Sequence, residues 1–175
     1  MDLELLELTE TERNHVREIN KKVIEYLNKN NATFEKDKLM NFTVKVYGSL
    51  GSLDNENLVG LVVKNLEDLT FLHNQSIAVK LALDYLKLLK ENYANKFRYM
   101  HQHKSENKSE KRMTLSDIER ELSVDPVYIA IKYLILLYES NYFSRVLSNL
   151  EIVRTYRDIL NKELAIRIPN GKNGH

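Results

Sequence analysis

Cysteine and tryptophan are absent from this 175-residue sequence, and only two prolines and five glycines interrupt it. Without cysteine there is no disulfide framework, no thiolate zinc site and no cysteine nucleophile. With so few prolines and glycines, long stretches are free to run as regular structure. The densest apolar run, residues 129–138, is broken by Lys132 and is well short of the ~20 apolar residues that cross a bilayer. The start, MDLELLELTETE, is acidic where a secretory signal is basic, so a cytoplasmic protein without membrane contact is expected. Charge of one sign is missing too, with 26 basic against 25 acidic side chains. The distribution is less even: residues 1–95 carry 12 Lys/Arg and 15 Asp/Glu, whereas residues 96–175 carry 14 and 10. Any nucleic-acid surface is therefore expected in the C-terminal half.

Most apolar positions recur at a period near 3.6, so the expected fold is mainly α. Thr9 with Glu12 has capping-box spacing, and Val16, Ile19, Val23, Ile24 and Leu27 then mark one face of a first helix ended by Asn30 and Asn31. In residues 41–47, Phe42, Val44 and Val46 alternate with Thr43 and Lys45, which favours a strand. Residues 58–72 read as a second helix, although LVGLVV also suits a buried strand, giving one short strand pair near 41–63 as an option. A third helix is expected from about Ser76, with Leu81, Tyr85, Leu88, Tyr93 and Phe97 on one side.

The segment HQHKSENKSEKR holds no apolar residue and reads as a polar, basic linker. This divides the chain into a helical N-terminal region (1–100), a linker (101–113), a C-terminal region (114–168) and a frayed tail (169–175). In the C-terminal region, Ser116 and Glu119 have capping-box spacing for a short helix through Leu122. Pro126 suits the first turn of the next helix, with Asp125 as its cap. A last helix is expected over about 143–166.

The glycine-rich stretch VYGSLGSLDNEN lacks the Lys-Ser/Thr of a Walker loop and the G-x-G-x-x-G spacing, so it reads as a turn. Its surroundings, VYGS followed by LGSLDNENLVGLVV, resemble the start of the nucleotidyltransferase fold, where a strand ending in Gly-Ser leads to a second strand bearing two metal-binding aspartates. Leu58 and Gly60 stand near those aspartate positions, so the resemblance implies a degenerate relative. Asp54 and Glu56 are the nearby carboxylates. Phosphoryl and nucleotidyl transfer need carboxylates to hold metal ions against the phosphates. His101 and His103, two apart, would point to different faces of a helix and have no third ligand nearby.

The stretch TLSDIERELSVDPVYIAIKYL, residues 114–134, resembles the helix-turn-helix of many winged-helix modules, which implies a second helix that reads the major groove. That helix is mostly apolar, with Tyr128 and Lys132 as its exposed candidates, whereas base readout prefers Arg, Lys, Asn and Gln. A candidate nucleic-acid surface combines Lys96, Arg98, Lys104, Lys108, Lys111, Arg112, Arg120, Tyr128 and Lys132, with Arg145, Arg154 and Arg157 on the final helix. Tyr93, Phe97 and Tyr99 are interleaved with its start, as on surfaces that stack single-stranded bases.

The sequence thus points to a non-enzymatic accessory or regulatory subunit that acts through protein–protein contacts, with a protein partner or a second copy of itself, in a nucleic-acid-associated complex. No catalytic residue, metal or cofactor is expected. A direct DNA- or RNA-binding regulator using residues 114–134 is the alternative, and a degenerate nucleotidyltransferase-like protein is the second.

Overall fold

A computed structural model describes residues 8–103 and 113–167. The described chain is mainly α, and no strand forms among the described residues. Helix α1 (Glu10–Lys29) begins at the expected capping box: the Thr9 hydroxyl accepts from the Glu12 N–H, and Glu12 Oε2 accepts from the Thr9 N–H at 2.6 Å. It ends at Asn30, and Asn31 takes a left-handed φ of 53°. Asn is among the few residues that adopt this conformation readily. Its buried face is Ile19, Val23 and Leu27.

A short α2 (Lys36–Met40) follows, buried through Leu39. The strand expected over 41–47 does not form: Asn41 and Phe42 close α2 through their N–H groups, and residues 43–46 carry neither helix nor strand hydrogen bonding, because no second strand lies beside them. Residues 58–63, the strand's optional partner, are helical. The two-strand start implied by the nucleotidyltransferase resemblance is therefore missing. VYGSLGSLDNEN is a turn, as expected, with a 3-10 turn at Leu50–Ser52. Asp54 Oδ1 accepts from the Asn57 N–H at 2.7 Å, capping the next helix. The guanidinium of Arg167 holds the turn from outside, donating to the carbonyls of Leu53 and, at 2.6 Å, Leu50.

The second and third helices of the sequence reading are one 49-residue helix, α3 (Asn55–His103). The polar run His73 to Ser76 reads as a break, yet it contains neither Pro nor Gly, and Gln75 has partners that compensate its burial. Gln75 Oε1 accepts from the Glu35 N–H at 2.9 Å, and its Nε2 donates to the Thr33 carbonyl at 3.3 Å. A buried amide satisfied at both ends carries no net desolvation penalty large enough to break a helix. The same helix extends through residues 101–103, so the first residues of the expected linker are helical. The remainder of that linker and the tail from 168 lie outside the described residues.

Helix α4 (Leu115–Val124) starts two residues earlier than expected. Thr114 and Asp117 form its capping box in place of Ser116 and Glu119, which have the same spacing two residues later. Asp125 alone separates α4 from α5 (Pro126–Leu137), capping it through Oδ1 to the Val127 and Tyr128 N–H groups, both at 2.9 Å, with Pro126 in the first turn as read. The break implied before the last helix expected from about 143 is instead a π-helical segment (Tyr138–Phe143) that runs into α6 (Ser144–Arg167). Its cause is visible in the spacing. Ala130, Leu134, Tyr138, Tyr142, Val146 and Leu150 are all buried and lie four apart. A 3.6-residue helix drifts away from such a row, and a wider π turn brings it back onto one side.

The rod from Pro126 to Arg167 packs antiparallel to α3, since Asn65, Lys87 and Tyr93 meet Val153, Glu139 and Asp125 respectively. One buried cluster joins Val23 and Leu27 of α1, Leu72 and Leu86 of α3, Ile131 of α5 and Leu150 of α6, so the N- and C-terminal regions share a core. A second, smaller cluster of Leu50, Leu58, Tyr156 and Leu160 sits beneath the glycine turn.

Three tyrosines carry a pH signature. Burial raises the phenol of Tyr138, which donates to Asn20 Oδ1 at 3.0 Å, and also that of Tyr142. Tyr93 is pushed up to about 12, by burial first and then by the Asp125 carboxylate it donates to at 2.9 Å. An unfolded chain releases these protons near pH ~10 while the fold retains them, so their contribution is complete below that pH and declines above it. The urea midpoint should therefore be flat between about pH 7 and 9 and fall above ~10. Tyr138→Phe should flatten that fall, and an unchanged slope would contradict the assignment.

Candidate functional site

Of the nine candidate nucleic-acid contacts, Lys104, Lys108, Lys111 and Arg112 lie outside the described residues. Lys96 on α3, Arg120 on α4 and Lys132 on α5 are exposed. Arg98 is engaged within the fold, its Nε 2.6 Å from Glu119 Oε1 and its Nη1 3.1 Å from Asn95 Oδ1. The hydrogen bond to Glu119 raises the Arg98 pKa and lowers that of Glu119. Tyr128 is half-buried, with the Lys132 ammonium 5.9 Å above its ring. Arg145 and Arg154 are exposed on α6, and Arg157 is partly buried beside Asp158.

The interleaved aromatics mostly turn inward. Tyr93 reaches Asp125, and Phe97 stacks on His101 with ring centres 4.3 Å apart, while His101 Nδ1 lies 3.5 Å from Glu121. These contacts fasten the end of α3 to α4 and α5. Tyr99 remains exposed. Along α5 only Lys132 and Leu136 are exposed, because α1, α3 and α4 cover its other faces. A helix so enclosed presents little to a DNA groove.

A different feature was not read from the sequence. Residues 37–47, α3 between Leu61 and Phe71, and Tyr156 of α6 enclose a groove of about 720 Å³. Phe42 and Phe71 stack in it with ring centres 5.5 Å apart, and the Lys38 ammonium lies 4.2 Å over the Phe71 ring. Lys64 pairs with Asp68 at 3.1 Å and Glu67 at 3.4 Å, and the hydrogen bond to Asp68 is the main cause of its raised pKa. Lys45 is exposed on the rim and has no carboxylate partner among the described residues. The Tyr156 hydroxyl accepts from the Tyr47 N–H at 3.4 Å.

The groove's inner wall holds Asn65, only 3% exposed. Its Nδ2 donates to the Val153 carbonyl of α6 at 3.0 Å, which fixes the amide's orientation and leaves Oδ1 buried without a donor. The sequence did carry a trace of this: Asn65 falls where the α3 core stripe of Leu58, Leu61, Val62, Leu69 and Leu72 calls for an apolar residue.

No family model, curated protein or solved structure matches the chain. Among the described residues no three His, Asp or Glu side chains gather as metal ligands, and no helix is long and apolar enough to cross a membrane.

An orphaned carbonyl oxygen in a protein interior costs about 1–3 kcal/mol, whereas an apolar group of similar shape has no such penalty. Asn65→Leu should therefore leave stability unchanged or raise it by up to ~2 kcal/mol, read as a higher melting temperature. A loss larger than ~2 kcal/mol would mean that the bond to Val153 outweighs the orphaned atom.

Proposed function

We propose that the chain is a non-enzymatic accessory subunit that acts through protein–protein contacts. The carrying observation is an apolar stripe on the outer side of α3. Val59, Val63, Leu66 and Ile77 are 51%, 52%, 50% and 56% exposed. With Thr70 and His73 between them, their separations alternate between four and three residues, the 3.5-residue period by which one helix meets another. From Val59 to Ile77 the stripe extends about 27 Å at 1.5 Å per residue. Isolated exposed apolar side chains are common, whereas Val59, Val63 and Leu66 lie side by side on successive turns, which supports an interaction surface there. Its partner is a helix of another protein; a second copy of this chain is the simplest variant of that reading.

The test is a photo-crosslinker placed at Leu66, compared with a Val63→Glu/Leu66→Glu variant. The native chain should capture protein partners, or itself, after nuclease treatment, and the charged variant should lose about tenfold or more of that capture with unchanged helical circular dichroism. Equal capture by both would overturn the reading.

Direct nucleic-acid binding, the second reading, is supported by the exposed Lys96, Arg120 and Lys132. It gains nothing from Arg98, which Glu119 already engages. Binding through phosphates weakens steeply with salt, so a low-salt mobility shift should disappear on neutralising Lys96, Arg120 and Lys132 to Gln. The absence of any shift from the native chain at low salt would end this reading.

A further inference from the structure

We infer that the outer face of α3 is covered by α6 of a second copy of this chain, so that copies associate head to tail. The inference rests on the protein-contact reading above and names the partner helix.

The first observation is a second apolar row. On α6, Ile152, Ile159 and Ile166 are exposed at seven-residue intervals. With Thr155 and Lys162 between them, the steps alternate between three and four residues, the period already found on α3. From Ile152 to Ile166 the row extends about 21 Å at 1.5 Å per residue, so it fits within the length of the α3 stripe. Around Val63, Leu66 and Thr70 the α3 face is the floor of a shallow groove walled by Glu35, Lys38 and Phe71. A helix that presents one apolar row can lie in such a groove.

The second is placement. Asn65 of α3 meets Val153 of α6. Counted at about 100° per residue from those two positions, the α3 stripe lies roughly 120° round its helix, and the α6 row lies roughly 140° round in the opposite sense. On antiparallel helices, opposite senses are opposite sides of the pair. The two rows of one chain therefore point away from each other, and neither covers the other. A neighbouring copy presents the missing row, and its own free row then accepts the next copy, which is how unlike faces build an open chain.

The third is charge, which selects this pairing over like with like. Residues 54–77, which carry the α3 stripe, hold one Lys against four Asp/Glu, a net of −3. Helix α6 holds five Lys/Arg against three Asp/Glu, a net of +2. Two α3 faces, or two α6 faces, would set like charges together. An α3 face against an α6 face sets opposite charges together.

The experiment is sedimentation of the full chain between about 1 μM and about 0.1 mM, a range that fills a contact of ~10 μM. The native chain should grow in mass past the dimer as its concentration rises. Val63→Glu/Leu66→Glu spoils the α3 face, and Ile152→Glu/Ile159→Glu spoils the α6 face. Each variant alone should associate at least about tenfold more weakly, with unchanged helical circular dichroism. Mixed in equal amounts, the two variants should form a dimer and nothing larger, because each supplies the face that the other lacks. Where a Glu pair does not fold, the corresponding Ser pair replaces it. The inference is overturned if the native chain stays monomeric throughout, if the α6 variant associates as the native chain does, or if the mixture remains monomeric. A monomeric native chain that still captures other proteins at Leu66 overturns the head-to-tail pairing alone. One that is monomeric and captures nothing overturns the protein-contact reading as well.

Discussion

The antiparallel contact between α3 and the rod from Pro126 to Arg167 is the constraint on which the remaining structure depends. Two helical pieces of this length can only be buried against one another if their apolar rows stay aligned over many turns, and an ordinary helix drifts out of alignment. The π segment at Tyr138–Phe143 resolves the conflict by holding a four-residue row in line. Tyr138 and Tyr142 sit at that correction, and their rings meet Phe34, with centres 5.6 and 5.0 Å away, so the connection between α1 and α2 is fitted to the bulge as well.

The same contact decides where α1 and the glycine turn can lie. The main cluster recruits Ile19, Val23 and Leu27 along one stretch of the pair, and the second cluster recruits Leu50 near the end of α6. Residues 41–47 must bridge these two anchors, and the bridge leaves the groove between itself and α3. A groove formed this way is a consequence of spacing between cores. Its wall is polar as well as apolar, with Asn65 contributed by α3 and Tyr156 by α6.

Much of this was legible in the sequence. The capping boxes, the Asp125-Pro126 start of α5 and the apolar rows gave the helices, because each depends on local hydrogen bonds or on a short period. The joins between helices were not legible. His73 to Ser76 and Glu139 to Asn141 read as breaks because polar residues normally leave a core, and only tertiary partners such as the Glu35 N–H and Thr33 carbonyl keep Gln75 inside. The alternation in residues 41–47 predicted a strand, and the prediction failed for want of a partner strand. Pairing is a non-local property that no single segment can specify.

Asn65 and Gln75 show how far such reasoning extends. Both interrupt the inner stripe of α3, and both are almost completely buried. From sequence they are equivalent irregularities. In the fold Gln75 is satisfied by the chain at both ends, so its role ends with holding residues 33–35 against α3. Asn65 is satisfied at one end only: its Nδ2 donates to the Val153 carbonyl, and its Oδ1 is buried without a donor. A buried polar group with every bond filled stabilises a structure, whereas one with a bond left over is a burden unless something outside the chain completes it. That difference, one hydrogen bond at one amide, is what separates a residue that holds the fold from one that burdens it here.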